Sequence, residues 1–190
     1  MDIIKEVENH VYDKYDHDKY NWYHNEFVTK YAIILAEKLG ADVEIVRIAA
    51  RFHDIDYSRG SENHTHDSAE YASKFLEDLG YPKDRIKKVR KAILCHTSSV
   101  IKTIDNPNKE GKILFDADKM WTMTPMGFAR TIAHRYKNNT SFSFICNKLE
   151  KAINKFNKLH FDESRKLIQD QRKICIQFLR GMKNETNNSY

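Results

Sequence analysis

A histidine and an aspartate stand side by side in Arg51-Phe52-His53-Asp54-Ile55-Asp56-Tyr57. Such a pair offers one nitrogen and one oxygen to a metal ion. Two further histidines fall on apolar stripes of other predicted helices: His24 with Val28, Tyr31, Leu35 and Leu39, and His96 with Ile86, Val89 and Ile93. A buried neutral imidazole needs a partner, and a buried ionised aspartate needs a cation. One buried histidine is most often a hydrogen-bonded core residue. Three on separate helices, one adjoining Asp54, are accounted for together by a metal. Leu114-Phe115-Asp116-Ala117-Asp118-Lys119-Met120-Trp121 adds two carboxylates. Two residues apart on a helix, they project about 200° from each other, so only one can face a common centre. Asp118 shares a stripe with Leu114 and Trp121, and Asp116 with Ile113 and Met120, which leaves the choice open.

The elements that must position these groups are read from apolar spacing, caps and breakers. A first helix is expected to about Tyr15, with Ile4, Val7 and Val11 on one stripe, and a second over about Asn21 to Leu39, stopped by Gly40. Asp42 caps a third that carries Val46, Ala49 and Ala50 up to His53. Ser58 to Thr65 reads as a polar loop. A fourth helix runs over about His66 to Leu79. Pro82 starts a fifth, whose inward stripe ends on His96. After a loop over Ser98 to Asn108, helices follow over about Lys109 to Trp121 and Pro125 to Tyr136, and His134 to Ser141 reads as loop-like. Two C-terminal helices are expected over about Phe142 to Leu159 and Glu163 to Met182. The inward stripe of the last is Leu167, Ile174, Phe178 and Met182, and a polar, frayed tail is expected over 184–190. The expected architecture is an all-α, single-domain helical bundle over residues 1–183.

Composition fits that reading. The chain has 190 residues with only 6 Gly and 3 Pro, which favours long helices over a turn-rich β fold. At 41% apolar and 31% charged residues it is globular rather than disordered in type. No apolar run reaches membrane-span length and the N-terminus lacks a signal pattern, so a cytoplasmic protein without a membrane partner is expected. Cys95, Cys146 and Cys175 form no CxxC pair and read as reduced thiols. Asn139-Thr140-Ser141 fits a glycosylation sequon, but without a secretion signal it is read as unmodified. The net charge of +5 weakly favours anionic ligands. The basic residues between Lys83 and Lys91 alternate with Ile86 and Val89, as on a solvated helix face, so no nucleic-acid groove is expected. Nothing in the sequence specifies an oligomeric state.

The ordered set His24, His53-Asp54 and Asp118 resembles the HD-domain superfamily of metal-dependent phosphohydrolases, most closely its short stand-alone bacterial and archaeal hydrolases. Asn63-His64-Thr65-His66-Asp67-Ser68-Ala69 is similar to that group's Asn-His-x-x-x-Ser-Ala element. Ala92-Ile93-Leu94-Cys95-His96-Thr97 is similar to its Ala-Ile-x-x-His-Ser element. Lys112 to Met120 and Gly127-Phe128-Ala129-Arg130 match two more, and Lys148-Leu149 and Arg172 fit the C-terminal helices, so the likeness spans nearly the whole chain. It implies that His24, His53, Asp54 and Asp118 are metal ligands, which favours Asp118 over Asp116. It places His64 and His96 where related enzymes hold phosphate or a second metal. Asp56, where glycine is usual, and Trp121, near a usual acidic residue, depart from the pattern and bear on specificity.

Two imidazoles and two carboxylates suit a divalent ion of octahedral habit (Mn²⁺, Mg²⁺, Fe²⁺, Co²⁺ or Ni²⁺) better than a closed zinc site. Four protein ligands leave two positions, one for a water acidified by the ion and one for a substrate oxygen. The expected enzyme is therefore a phosphohydrolase acting on nucleotides or related small phosphoesters, with nucleoside triphosphate pyrophosphohydrolase and nucleotidase reactions as the first assays. Asp54, His64, His96 and Glu62 are the candidate catalytic residues, and Arg59, Lys119 and His66 the candidate substrate contacts. The alternatives are a non-catalytic helical module that binds a nucleotide or nucleic acid and retains the metal site, and a bare structural metal site. A Cys95–His96 nucleophile pair is not expected, because neighbouring helical residues point about 100° apart. His10, His17, His134 and His160 read as surface or local structure.

Overall fold

The computed structural model describes residues 2–15, 20–55 and 63–187. Among these residues the chain forms nine α-helices and one 3-10 turn, with no strand: the all-α class expected from the sequence. The helices are α1 (Ile3–Lys14), α2 (Tyr20–Leu39), α3 (Val43–Phe52), α4 (His64–Asp78), α5 (Lys83–Leu94), α6 (Lys109–Trp121), α7 (Pro125–Lys137), α8 (Phe142–Asn154) and α9 (Asp162–Asn187). They divide into two compact units, Met1–Asp118 and Lys119–Tyr190, with the boundary inside α6.

In the first unit α3 is the central element. Six of its ten residues are buried (Ile45, Val46, Ile48, Ala49, Ala50 and Phe52), and it packs against α1, α2, α4 and α5. Burying a side chain such as Ile48 or Phe52 stabilises by about 1.5–3 kcal/mol, so most of what holds this helix comes from packing rather than from helix propensity. Its N-terminus is fixed by Asp42, whose carboxylate accepts from Ile45 N at 3.1 Å and from Arg85 Nη2 of α5 at 3.1 Å. Glycine ends two helices for a backbone reason. Gly40 (φ +63°) and Gly80 (φ +71°) adopt the left-handed conformation, and the following residue donates back to the helix, Ala41 N to Ala36 O and Tyr81 N to Leu76 O, both at 2.9 Å.

In the second unit α7, α8 and α9 pack around Phe128, Ile145, Leu149, Ile153, Cys175 and Leu179. Gly127 is required there: a Cβ at this position would stand 2.2 Å from the Trp121 carbonyl oxygen. Arg172 donates to Ile153 O at 3.2 Å and lies over the Phe156 ring.

Several expected boundaries shift. His64 and Thr65 belong to the first turn of α4 rather than to the preceding loop, because their amides lie in the turn that Asn63 O closes by accepting from His66 N and Asp67 N. α7 continues through His134 to Lys137, and α8 stops at Asn154, where a 3-10 turn over Lys155–Lys158 takes over. α9 runs on to Asn187, so the segment expected to fray is helical to that point. Its buried stripe is Ser164, Ile168, Cys175 and Leu179; of the expected Leu167, Ile174, Phe178 and Met182, Met182 packs partly buried against the core. The two sets are neighbours on the wheel. Ile174 and Phe178 are about half exposed and, with Phe128, Ile132 and Tyr136, line an apolar groove of about 550 Å³.

Candidate metal centre

Five of the side chains singled out in the sequence, and one of the two competing carboxylates, converge inside the first unit. α2 carries His24 on its buried face. His53 and His96 are buried together with the stripes that lead into them, as expected. Each stands just past the end of a helix, His53 as the cap of α3 and His96 one residue beyond the cap of α5. Both rings are held in the same way. His53 Nδ1–H donates to Ala50 O at 2.7 Å, and His96 Nδ1–H to Ile93 O at 2.6 Å, each to the carbonyl three residues back. A proton on Nδ1 leaves Nε2 with its lone pair, and in both residues that atom faces the cluster.

His24 Nε2 lies 3.0 Å from His53 Nε2 and 3.5 Å from both Asp54 Oδ2 and Asp118 Oδ1, and His53 Nε2 is 3.6 Å from Asp54 Oδ2. Asp54 turns its other oxygen the opposite way. Oδ1 is 3.4 Å from His96 Nε2 and 4.0 Å from His64 Nε2. The carboxylate therefore joins two donor sets, His24/His53/Asp118 and Asp54/His64/His96, in each of which one donor atom per residue lies within 4.8 Å of the others. Asp116 is fully buried and belongs to neither set. The interior is closed by His24, His53 and His96, at 4%, 0% and 2% exposure, while Asp54, His64 and Asp118, at 20%, 23% and 15% by side chain, form the open side.

The electrostatics match a cation site. Burial pushes the His53 imidazole down to about 4, so it is neutral and able to ligate at neutral pH. Burial also works against an ionised Asp54, but its imidazole neighbours, His53 first and then His24 and His96, outweigh that effect. They hold its carboxyl well below the usual range. Adjacent ligands about 2.1 Å from an octahedral ion stand about 3.0 Å apart. The separations of 3.0–3.5 Å from His24 to His53, Asp54 and Asp118, and of 3.6 Å from His53 to Asp54, come close to that spacing, and the donors are all of a type a hard or borderline divalent ion accepts.

The other expectations divide. His66 is exposed on α4 and stands outside both donor sets. Arg59 and Glu62, with Asp56, lie outside the described residues, as does His17. Lys119 follows Asp118 on α6 and is half-buried, and Trp121 is buried. Cys95 is buried with its thiol pushed up to about 11 by burial, which suits a structural thiol rather than a nucleophile. His10 pairs with the Tyr71 hydroxyl at 2.7 Å against Phe75, a local packing role. Residue spacing had not picked out Thr65 and Thr97, whose hydroxyls meet at 3.4 Å beside His64 and His96. Nor had it picked out Asn25, a fully buried amide next to His24. The available signal was a polar residue inside an apolar helix face.

Residues 21–123 match the model of the HD domain, more than half of the chain. The chain belongs to the HD-domain family. Solved structures with the same fold include Bacillus subtilis YpgQ, 20% identical with a TM-score of 0.77 over 96% of this chain and 94% of that one. A Bacillus thuringiensis HD-superfamily hydrolase is 23% identical with a TM-score of 0.75 over 98% and 97%. YpgQ is also known in complex with ADP, and that form is 19% identical with a TM-score of 0.75 over 96% and 94%. In sequence the HD chain is 38% identical over 93 residues to an uncharacterised Methanocaldococcus jannaschii protein, a match covering 45% of this chain and 18% of that relative's length. Among the described residues no helix is long and apolar enough to cross a membrane.

Proposed function

We propose that this HD protein is a metal-dependent phosphohydrolase whose substrates are nucleotides or related small phosphoesters. The observation that carries the reading is the convergence of His24, His53, Asp54 and Asp118, two imidazoles and two carboxylates with donor atoms 3.0–3.6 Å apart around His24 and His53. These four residues would hold the ion. A divalent cation there supplies Lewis acidity, polarising a phosphoryl oxygen and acidifying a water. The nucleotide part of the reading is supported by the ADP bound to YpgQ, a protein of the same fold.

The chain's own groups then have distinct tasks. Asp54, kept ionised, holds the two donor sets together. His64, at the open side, donates a hydrogen bond to a phosphoryl oxygen as negative charge builds there, and His96 presents Nε2 from the closed side. Arg59 and Lys119 are the proposed cationic partners of the phosphate, and Glu62 the proposed base. In the reaction a P–O bond forms to water and another breaks, and the departing oxygen takes a proton. A second reading is favoured by one observation: Asp54 Oδ1, His64 and His96 themselves form a three-residue donor set, which would take a second ion. Metal stoichiometry distinguishes the two, at one or two ions per chain.

The decisive experiment is a nucleotide and phosphoester panel run with Mn²⁺, Mg²⁺, Co²⁺ and Ni²⁺, with pyrophosphate and orthophosphate scored separately. Release of either product, dependent on the ion, is expected. A metal-loaded protein that hydrolyses nothing on the panel yet binds nucleotide or nucleic acid would replace the enzyme by the non-catalytic binding module. Melting on chelation without turnover at any ion would replace it by a structural metal site.

A further inference from the structure

Asn25 has a fully buried side chain, one residue beyond His24. Its amide donates to Arg51 O at 2.9 Å and to Ala50 O at 3.4 Å. Both carbonyls belong to the last turn of α3, where the helix offers them no further donor. Ala50 O is also the acceptor that orients His53, so one oxygen receives the Asn25 amide and the His53 ring together. On its other side Asn25 Oδ1 accepts from Arg51 Nη1 at 3.0 Å. Arg51 is anchored in turn: it pairs with Glu26, lies 3.7 Å from Glu8 of α1, and sits over the Trp22 ring. A single loop of hydrogen bonds thus fastens the turn of α2 that bears His24 to the turn of α3 that leads into His53.

We propose that Asn25, braced by Arg51, is a positioning clamp that sets the spacing of the His24 and His53 Nε2 atoms and thereby the centre's affinity for its ion. The inference rests on the metal-centre reading above and goes beyond it by naming residues that touch no ligand. Separate helices carry the two imidazoles, and the clamp ties the turn of one directly to the turn of the other. Ligand geometry held to about 0.5 Å is what such a centre requires, and removing a partner that orients ligands typically costs 10- to 100-fold in metal affinity. A purely structural amide would instead lower folding stability and leave the affinity of the folded fraction unchanged.

The test is Co²⁺ titration of the metal-free full-length chain, following visible absorption, alongside thermal melting without metal. Asn25→Leu, close in shape but without polar atoms, is expected to lose about 10- to 100-fold in Co²⁺ affinity and to shift the absorption band. Arg51→Gln, which spares the Asn25 bonds to both carbonyls, is expected to weaken binding by a lesser factor, and it decides the matter if Asn25→Leu does not fold. Val89→Ala, a core truncation on α5, supplies a control with lowered melting temperature and unchanged affinity. Unchanged affinity in both clamp variants, or an equal loss in the control, overturns the clamp while leaving the metal centre standing. Failure of the unaltered chain to bind Co²⁺ overturns the metal centre itself, and the clamp with it.

Discussion

At the residue scale Asp54 is the side chain on which the most depends, because its two oxygens serve two different sets of imidazoles. Asp54→Ala is expected to emerge from purification with its bound divalent ion lost, as measured by elemental analysis, and without measurable hydrolysis; retention of both would sink the site. His64→Ala should keep the ion, since His64 touches only the Oδ1 side, but lose about 100- to 1,000-fold in kcat if it stabilises charge on the phosphoryl group. Loss of one of two ions from this variant would instead favour the second reading. The residues themselves were legible in the sequence, because a histidine on an apolar stripe is conspicuous. Their geometry was less so. Periodicity alone could not choose between Asp116 and Asp118. It also extended α5 through His96, because Ile86, Val89 and Ile93 keep the helical rhythm up to the last turn while the chain breaks it at Cys95.

At the scale of elements, the first unit depends on how α3 is held. Asp42 caps it and forms an ion pair with Arg85, at 3.1 Å for both Nη1–Oδ2 and Nη2–Oδ1. Burial tends to raise the Asp42 carboxyl, but the Ile45 amide and Arg85 prevail and lower it below 3.8. A carboxyl lowered in the folded state stabilises fully above its unfolded value and loses that contribution as pH falls through the folded one. Asp42→Asn keeps a capping oxygen and removes the charge. It is expected to lower the melting temperature by roughly 1–3 °C at pH 7, from a partly exposed pair worth up to about 1 kcal/mol. The gap to the parent should close as pH falls below 3.8, and a gap that persists at acid pH would exclude the ion pair as its source. Gly127→Ala is expected to destabilise by about 1–3 kcal/mol in denaturant titration, because the Trp121 carbonyl occupies the space of the new methyl. Helix existence was readable from caps and glycines, and Gly40, Asp42 and Pro82 each mark a boundary to within a residue. The face of α9 was not. Leu167, Ile174 and Phe178 are as apolar as Ile168, Cys175 and Leu179, and which set is buried depends on α7 and α8, not on the α9 sequence.

For the whole molecule, the proposed ligands come from sequence positions as far apart as His24 and Asp118, all within the first compact unit. An ion binding them favours the folded chain over the unfolded one. At a free concentration of 100 times its Kd it should add about 2.7 kcal/mol. Differential scanning calorimetry with Mn²⁺ and with EDTA should therefore show a melting temperature that rises with the logarithm of metal concentration in the parent and stays flat in Asp54→Ala. A long-range site of this kind is visible in sequence only as an ordered set of residues. No single segment of the chain reveals it, since α2, the end of α3 and α6 each supply part of the set.

The carbonyl oxygens that orient His53 and His96 belong to Ala50 and Ile93, and every residue type has such an oxygen. The bond that fixes each ring therefore leaves no trace in the identity of its acceptor. A comparison of many related chains that looked for an acidic partner changing in step with either histidine would find none, and could wrongly class both rings as unsupported. What such chains must preserve is the length of the helix that leads into each ring: one residue inserted into α3 or α5 would turn the imidazole about 100° away from its neighbours while every side chain named here remained in the sequence.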